Sequence, residues 1–191
     1  QLQLNWLDNA PQRSALAIVS TSRQDGRSVL TANLAVTFAQ LGQRTLLIDA
    51  DMRAPKQHRL FNVENQAGIS SLLAGRMQDQ VVTFVHGIPG LAVLPAGPTP
   101  PNPAELLSRP AFHRVLEQSH SSFDVVLLDT PSFASGPDAM LIARAAGTAL
   151  VVAKSNVTRA REFQLLLQTL RDRNTTVAGS VLIDPARRAK G

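Results

Sequence analysis

Six short runs that are apolar on both faces constrain this chain more than any other feature. They occupy residues 15–20 (ALAIVS), 44–51 (RTLLIDAD), 91–97 (LAVLPAG), 123–131 (FDVVLLDTP), 148–154 (TALVVAK) and 176–184 (TVAGSVLID). A strand with one wet face alternates polar and apolar residues. These runs do not, so they need cover on both sides, as central parallel strands do. Helical patterns lie between them. Ser28 to Leu41 is rich in Ala and Leu and stops at Gly42, a favoured residue just past a helix end. Ser108 is placed to cap a helix with Pro110 in its first turn and Phe112, Val115 and Leu116 on one face. Phe163, Leu166, Leu167 and Leu170 recur at helical spacing, so Arg159 to Arg173 reads as an amphipathic helix. Strand–helix alternation of this kind predicts a three-layer α/β fold with a mostly parallel central sheet. Residues 95–103 (PAGPTPPNP) read as a stiff loop inside the domain, because strand and helix signals continue after them.

The 191 residues suffice for a single domain with a full core, and 44% hydrophobic against 17% charged residues excludes a disordered chain. The longest apolar runs are far too short to span a bilayer. Gln1 to Asn9 has neither the basic nor the apolar part of a signal peptide. The absence of cysteine excludes disulfides, thiol catalysis and cysteine metal sites. Of the residues behind the net charge of +5, Arg187, Arg188 and Lys190 crowd the last five positions and read as a solvated tail. One Trp and seven Phe are too few for a stacking platform, so no nucleic-acid partner is expected. His58, His86, His113 and His120 have no ligand-like spacing.

Three segments carry chemistry. The first strand runs into TSRQDGRS (21–28) and then at once into a helix. A phosphate-binding loop has the pattern G-x-x-x-x-G-K-[ST]. Gly26 and Ser28 keep the last glycine and the hydroxyl, while Thr21 and Arg27 replace the first glycine and the lysine. Gly26 lets main-chain amides approach phosphate oxygens, and the helix start adds positive dipole. Ser28 offers a hydroxyl to Mg²⁺. Arg27 offers a planar fork where lysine is a point charge. In the second segment, LLIDADMR (46–53), Asp49 and Asp51 stand two apart at a strand end, on one face. Such a pair can hold Mg²⁺ or its waters, or accept a proton. In the third, DVVLLDTP (124–131), Asp129 follows an apolar strand, the usual second acidic position of P-loop enzymes. Arg53 either touches phosphate or pairs with a carboxylate. Asp138 either senses a γ-phosphate from a loop or caps a helix.

Taken in order, SRQDGRS, LLIDADMRAPKQHRLF, LAVLPAGPTPPNPAELLSRPAF and FDVVLLDTPS resemble the bacterial tyrosine kinases (BY-kinases) of capsule and exopolysaccharide assembly, nearest to the chain-length-determinant kinases. The similarity runs from about Gln1 to Asp184. The PAGPxPPNPxELL block is its most specific part and separates the chain from the related MinD/ParA partition ATPases. The resemblance implies a P-loop NTPase α/β/α sandwich of the deviant Walker class. ATP–Mg would sit over Ser22, Arg23, Gln24, Asp25, Gly26, Arg27, Ser28 and Val29. Ser28, Asp49 and Asp129 would surround Mg²⁺, and Asp49 or Asp51 would be the base toward a tyrosine hydroxyl. It also implies a cytoplasmic place at the inner membrane face, a membrane polysaccharide co-polymerase as partner, and a homo-oligomer.

The departures are as informative. The chain has no tyrosine, so it cannot be phosphorylated on tyrosine itself. The acceptor would lie on another protein or beyond Gly191, or the domain would bind and hydrolyse nucleotide only. The family's E-x-x-R-x-x-R ring motif is absent before QLQLNWLDN, so a fragment of a longer chain is expected. Gln24 replaces a glycine of the loop, and Ile183 stands where many relatives carry an adenine-reading Asn. These changes leave open a nucleotide-binding switch without phosphoryl transfer.

Overall fold

The computed structural model describes residues 15–76 and 81–184. Trp6 and the basic residues Arg187, Arg188 and Lys190 therefore lie outside the described residues. The strands are β1 (Ala15–Ser20), β2 (Thr45–Asp49), β3 (Thr83–Phe84), β4 (Leu91–Leu94), β5 (Val125–Asp129), β6 (Gly147–Lys154) and β7 (Thr176–Ile183). They form one sheet in the order β3-β4-β2-β5-β1-β6-β7. All neighbours are parallel except β3 and β4. Each of the six expected runs holds one strand, but β7 lies at one edge and is exposed or half-buried along its length, not covered on both faces as expected. The two-residue β3, at an edge with Phe84 exposed, has no such signal and was not expected from the sequence.

Alternation along the buried strands feeds two cores. Ala15, Ala17, Val19, Leu46, Ile48, Val126 and Leu128 point to one face. Leu16, Ile18, Leu47, Val125 and Leu127 point to the other. The second face is covered by α1 (Arg27–Gln40), which lays Ala35, Phe38 and Ala39 on the sheet. Small residues at that contact let the helix lie close. Its end is a Schellman motif: Gly42, at φ +83°, donates to the Ala39 carbonyl and Gln43 to that of Phe38. A short α2 (Gln57–Leu60) follows β2. The first face is covered by α3 (Ile69–Leu73), α4 (Pro103–Ser108), α5 (Pro110–Ser122), α6 (Asp138–Ala146) and α7 (Ala160–Asp172).

Two local expectations change. Ser108 does not cap α5; it ends α4 and donates to the Glu105 carbonyl, and Arg109 is the cap residue of α5. Strand β2 stops at Asp49, so Asp51 lies beyond it. The turn there is set when Ala50 donates to both the Ile48 and Asp129 carbonyls. The proline-rich block is a stitched loop. Ile69 and Ser70 donate from their main chains to the Pro95 and Ala96 carbonyls, and Asn65 accepts from Gly97 N. A side chain at Gly68 would collide with the Pro95 carbonyl, so glycine is required by close backbone approach.

Candidate functional site

Strands β2, β5 and β1 are neighbours, and the chemistry-bearing segments all leave their carboxyl ends. Asp49 and Asp129 are register partners across β2 and β5, and Asp129 pairs with Ile18 of β1. That edge is where open α/β sheets bind ligands.

The loop after β1 is held by Asp25. Its fully buried carboxylate accepts from Ser22 N (2.7 Å), Ser22 Oγ (3.0 Å), Thr21 Oγ1 (3.0 Å) and Thr158 Oγ1 (2.8 Å). Asp25 therefore shapes the loop from inside, while Arg23 and Gln24 are exposed at its rim. Gly26 takes a left-handed conformation, φ +82° and ψ +10°, as the cap residue of α1, with no side-chain cap on the helix. The first amides of α1 are thus left for an outside acceptor, the arrangement that receives phosphates. Ser28 is buried and Val29 exposed in this first turn. A Cβ at Gly26 would meet Ile183 Cδ1 at 2.9 Å. Because that contact is a flexible side-chain end, the main cost of Gly26→Ala is the left-handed backbone, about 1–2 kcal/mol. Chemical denaturation should read that loss, and adding Ile183→Ala should recover only the smaller steric part.

Arg27, the first residue of α1, turns inward. Its Nε donates to Asp129 Oδ1 (3.0 Å), Nη1 to Ser20 Oγ (2.8 Å) and Nη2 to Asp51 Oδ2 (3.3 Å). It is 4% exposed, so in this state the guanidinium faces the carboxylates and not the solvent side of the loop. The planar fork serves all three acceptors in fixed directions. Asp51 spends its other oxygen on the main-chain amides of Arg53 and Ala54. Asp49 accepts from the main chains of Lys56 and Gln57 through Oδ2, while its buried Oδ1 has no partner. Burial, and then the charge of Asp129, push the Asp49 carboxyl up to about 8.

Sequence reasoning missed Gln57. It is fully buried, and its Nε2 donates to Asp129 Oδ2 (2.7 Å) and to the Ser28 carbonyl (3.0 Å). The only available signal was a polar residue in the first turn of a helix following the paired acids. Of the two alternatives for Arg53, the structure has the carboxylate: Nε and Nη2 grip Asp138 at 2.7 and 3.2 Å. Asp138 opens α6 without making a side-chain cap.

The donor set suits a divalent cation that arrives with phosphates. The Arg27 guanidinium pairs with the buried carboxylates of Asp51 and Asp129, and the Oδ1 of buried Asp49 has no partner. Among the described residues no three His, Asp or Glu side chains converge as a self-sufficient metal cage. Magnesium needs no such cage: it takes one or two protein carboxylates and completes its shell with phosphate and water.

Residues 16–187 match the family described as CobQ/CobB/MinD/ParA nucleotide binding domain. The chain is 34% identical over 178 residues to tyrosine-protein kinase etk of Escherichia coli strain K12, covering 93% of this chain and 24% of that protein. Over 168 residues it is 34% identical to CapB of Staphylococcus aureus, covering 88% of this chain and 74% of CapB. The kinase domain of Escherichia coli tyrosine kinase ETK superposes with a TM-score of 0.90 at 33% identity, over 98% of this chain and 74% of that one. The chimerical protein CapA2B2 does so with a TM-score of 0.87 at 32% identity, over 94% and 79%. The chain thus spans 24% of the length of the Escherichia coli relative but most of CapB. A P-loop closed by Gly26, acids at the tips of adjacent strands and this similarity along nearly the whole chain agree: it belongs to the CobQ/CobB/MinD/ParA nucleotide-binding domains and, within them, to the bacterial tyrosine kinases.

Proposed function

We propose that this domain binds ATP with Mg²⁺ and transfers the γ-phosphoryl group to a tyrosine hydroxyl on another polypeptide, in the control of exopolysaccharide polymerisation and export. The observation that carries the reading is the meeting of the Gly26 loop with Asp49, Asp51 and Asp129 at three neighbouring strand ends. Ser28 and Asp49 would hold the cation, with Asp129 beside them. The cation would supply charge neutralisation for the phosphates. The amides at the start of α1 bind and orient the phosphate oxygens. Arg27 leaves the carboxylates to contact phosphate, and this frees Asp51 Oδ2, held by the longest of the three contacts. Asp51 then takes the proton of the tyrosine hydroxyl as its oxygen bonds to the γ-phosphorus; the bond to the β-phosphate oxygen breaks and ADP leaves. Positioning and electrostatics supply the rate.

These 191 residues hold no tyrosine, so the acceptor hydroxyl lies outside them. The family's membrane polysaccharide co-polymerase and a second copy of the chain are the partners proposed, at the cytoplasmic membrane face. No helix among the described residues is long and apolar enough to cross a membrane.

A second reading is a nucleotide-dependent switch without transfer, favoured by the burial of Arg27 among carboxylates. ATP labelled at the γ-phosphate, incubated with a tyrosine-bearing partner tail, separates the two. Label on the tail is expected, with a loss of about 100-fold or more in Asp49→Ala and Asp129→Ala. Nucleotide binding with no label under any condition would favour the switch. Unchanged turnover in both variants would overturn the site.

A further inference from the structure

Gln57 touches every other group of the proposed cation site. Its main-chain amide donates to Asp49 Oδ2 at 2.9 Å, and its side-chain Nε2 donates to Asp129 Oδ2 and to the Ser28 carbonyl. The second bond fixes the orientation of the amide. Flipping it would set Oε1 against two acceptors, so nitrogen must face Asp129 and Ser28. Oε1 is consequently held in one direction, and it is buried without a partner. A fixed acceptor, excluded from solvent and lacking a donor, is costly to maintain unless a donor arrives.

We infer that Gln57 is a positioning residue for the cation: its Oε1 accepts a hydrogen bond from a water of the hydrated Mg²⁺, while its Nε2 holds Asp129 in place. This rests on the nucleotide–cation reading of the site and names a residue that reading does not contain. Hydrated magnesium keeps several waters, and one of those waters supplies the donor that Oε1 lacks. Residues that orient the ligands of a metal in this way typically change its affinity by about 10–100-fold.

The test measures Mn²⁺ binding by electron paramagnetic resonance in the presence of ADP, and ADP binding by calorimetry in EDTA, on the whole chain. If the unaltered protein shows no metal-enhanced ADP binding, the cation reading itself falls, and Gln57 with it. If it does, Gln57→Met is expected to weaken Mn²⁺ about tenfold or more while leaving metal-free ADP binding within twofold. Gln57→Asn keeps the amide but draws it back by one methylene, and is expected to weaken Mn²⁺ in the same sense as Gln57→Met. Equal loss of both ligands in Gln57→Met, or no loss of Mn²⁺, would overturn the proposal. Should Gln57→Met fail to fold, Gln57→Asn decides by the same two affinities.

Discussion

Arg27→Ala is expected to destabilise the nucleotide-free domain by about 3–5 kcal/mol, the cost of leaving buried charge without its partner. The guanidinium is 4% exposed and joins Asp51, Asp129 and Ser20. Without it, two carboxylates face each other near a third, Asp49, in a site closed to water. Urea denaturation in EDTA would read the loss, and the melting temperature should fall by about 10 °C for a chain of this size. Arg27→Lys should recover part of the loss, because an ammonium group can reach one acceptor well but not three. The same variants should be rescued more strongly by Mn²⁺ or Mg²⁺ than the unaltered chain, since the cation then supplies the missing charge. A loss under about 1 kcal/mol would mean that Arg27 spends its time outside the cluster, already in the position proposed for phosphate contact.

Asp49→Asn should have the opposite effect on the metal-free protein and remove the cation's effect altogether. Burial and the neighbouring Asp129 raise the Asp49 carboxyl to about 8, whereas an unfolded aspartate titrates near ~4. A raised carboxyl binds its proton more tightly in the folded state. Its contribution is full below the unfolded value and is lost as pH rises through the folded one. In EDTA the unaltered protein should therefore lose stability between about pH 4 and pH 8 through this group, with a limiting slope of about 1.4 kcal/mol per pH unit. Asparagine imitates the protonated carboxyl and still accepts from the amides of Lys56 and Gln57. Asp49→Asn should then be the more stable protein at pH 8, with a flatter pH profile, yet show no stabilisation by Mg²⁺ and ADP beyond that of ADP alone. Parallel pH profiles for the two proteins would contradict the buried, proton-holding Asp49.

Much of the scaffold was legible because it depends on pattern. Apolar runs located the six long strands, and Gly42 marked the end of α1 through a left-handed turn that glycine accepts without strain. The two-residue β3 carried no period to detect. Ser108 misled because a good capping residue also sits well at the end of a preceding helix, and Pro110 fixed the start of α5 regardless. Asp51 was read as sharing the strand face of Asp49. The Ala50 amide bonds to the Ile48 and Asp129 carbonyls, and that turn ends the strand first.

The sequence by itself determined the layered α/β architecture, the loop ending in Gly26 and the placing of acids at strand ends, because each rests on local spacing and backbone freedom. It also carried the family, through blocks of residues in fixed order. Only the tertiary structure decided where the charges point. Arg27 folds onto Asp51 and Asp129, residues 24 and 102 positions away, and Gln57 reaches Asp129 across 72. Such pairings follow from the strand order β2-β5-β1, which brings three chain-distant tips together. Charge compensation in a buried site is a property of that meeting and of no single segment.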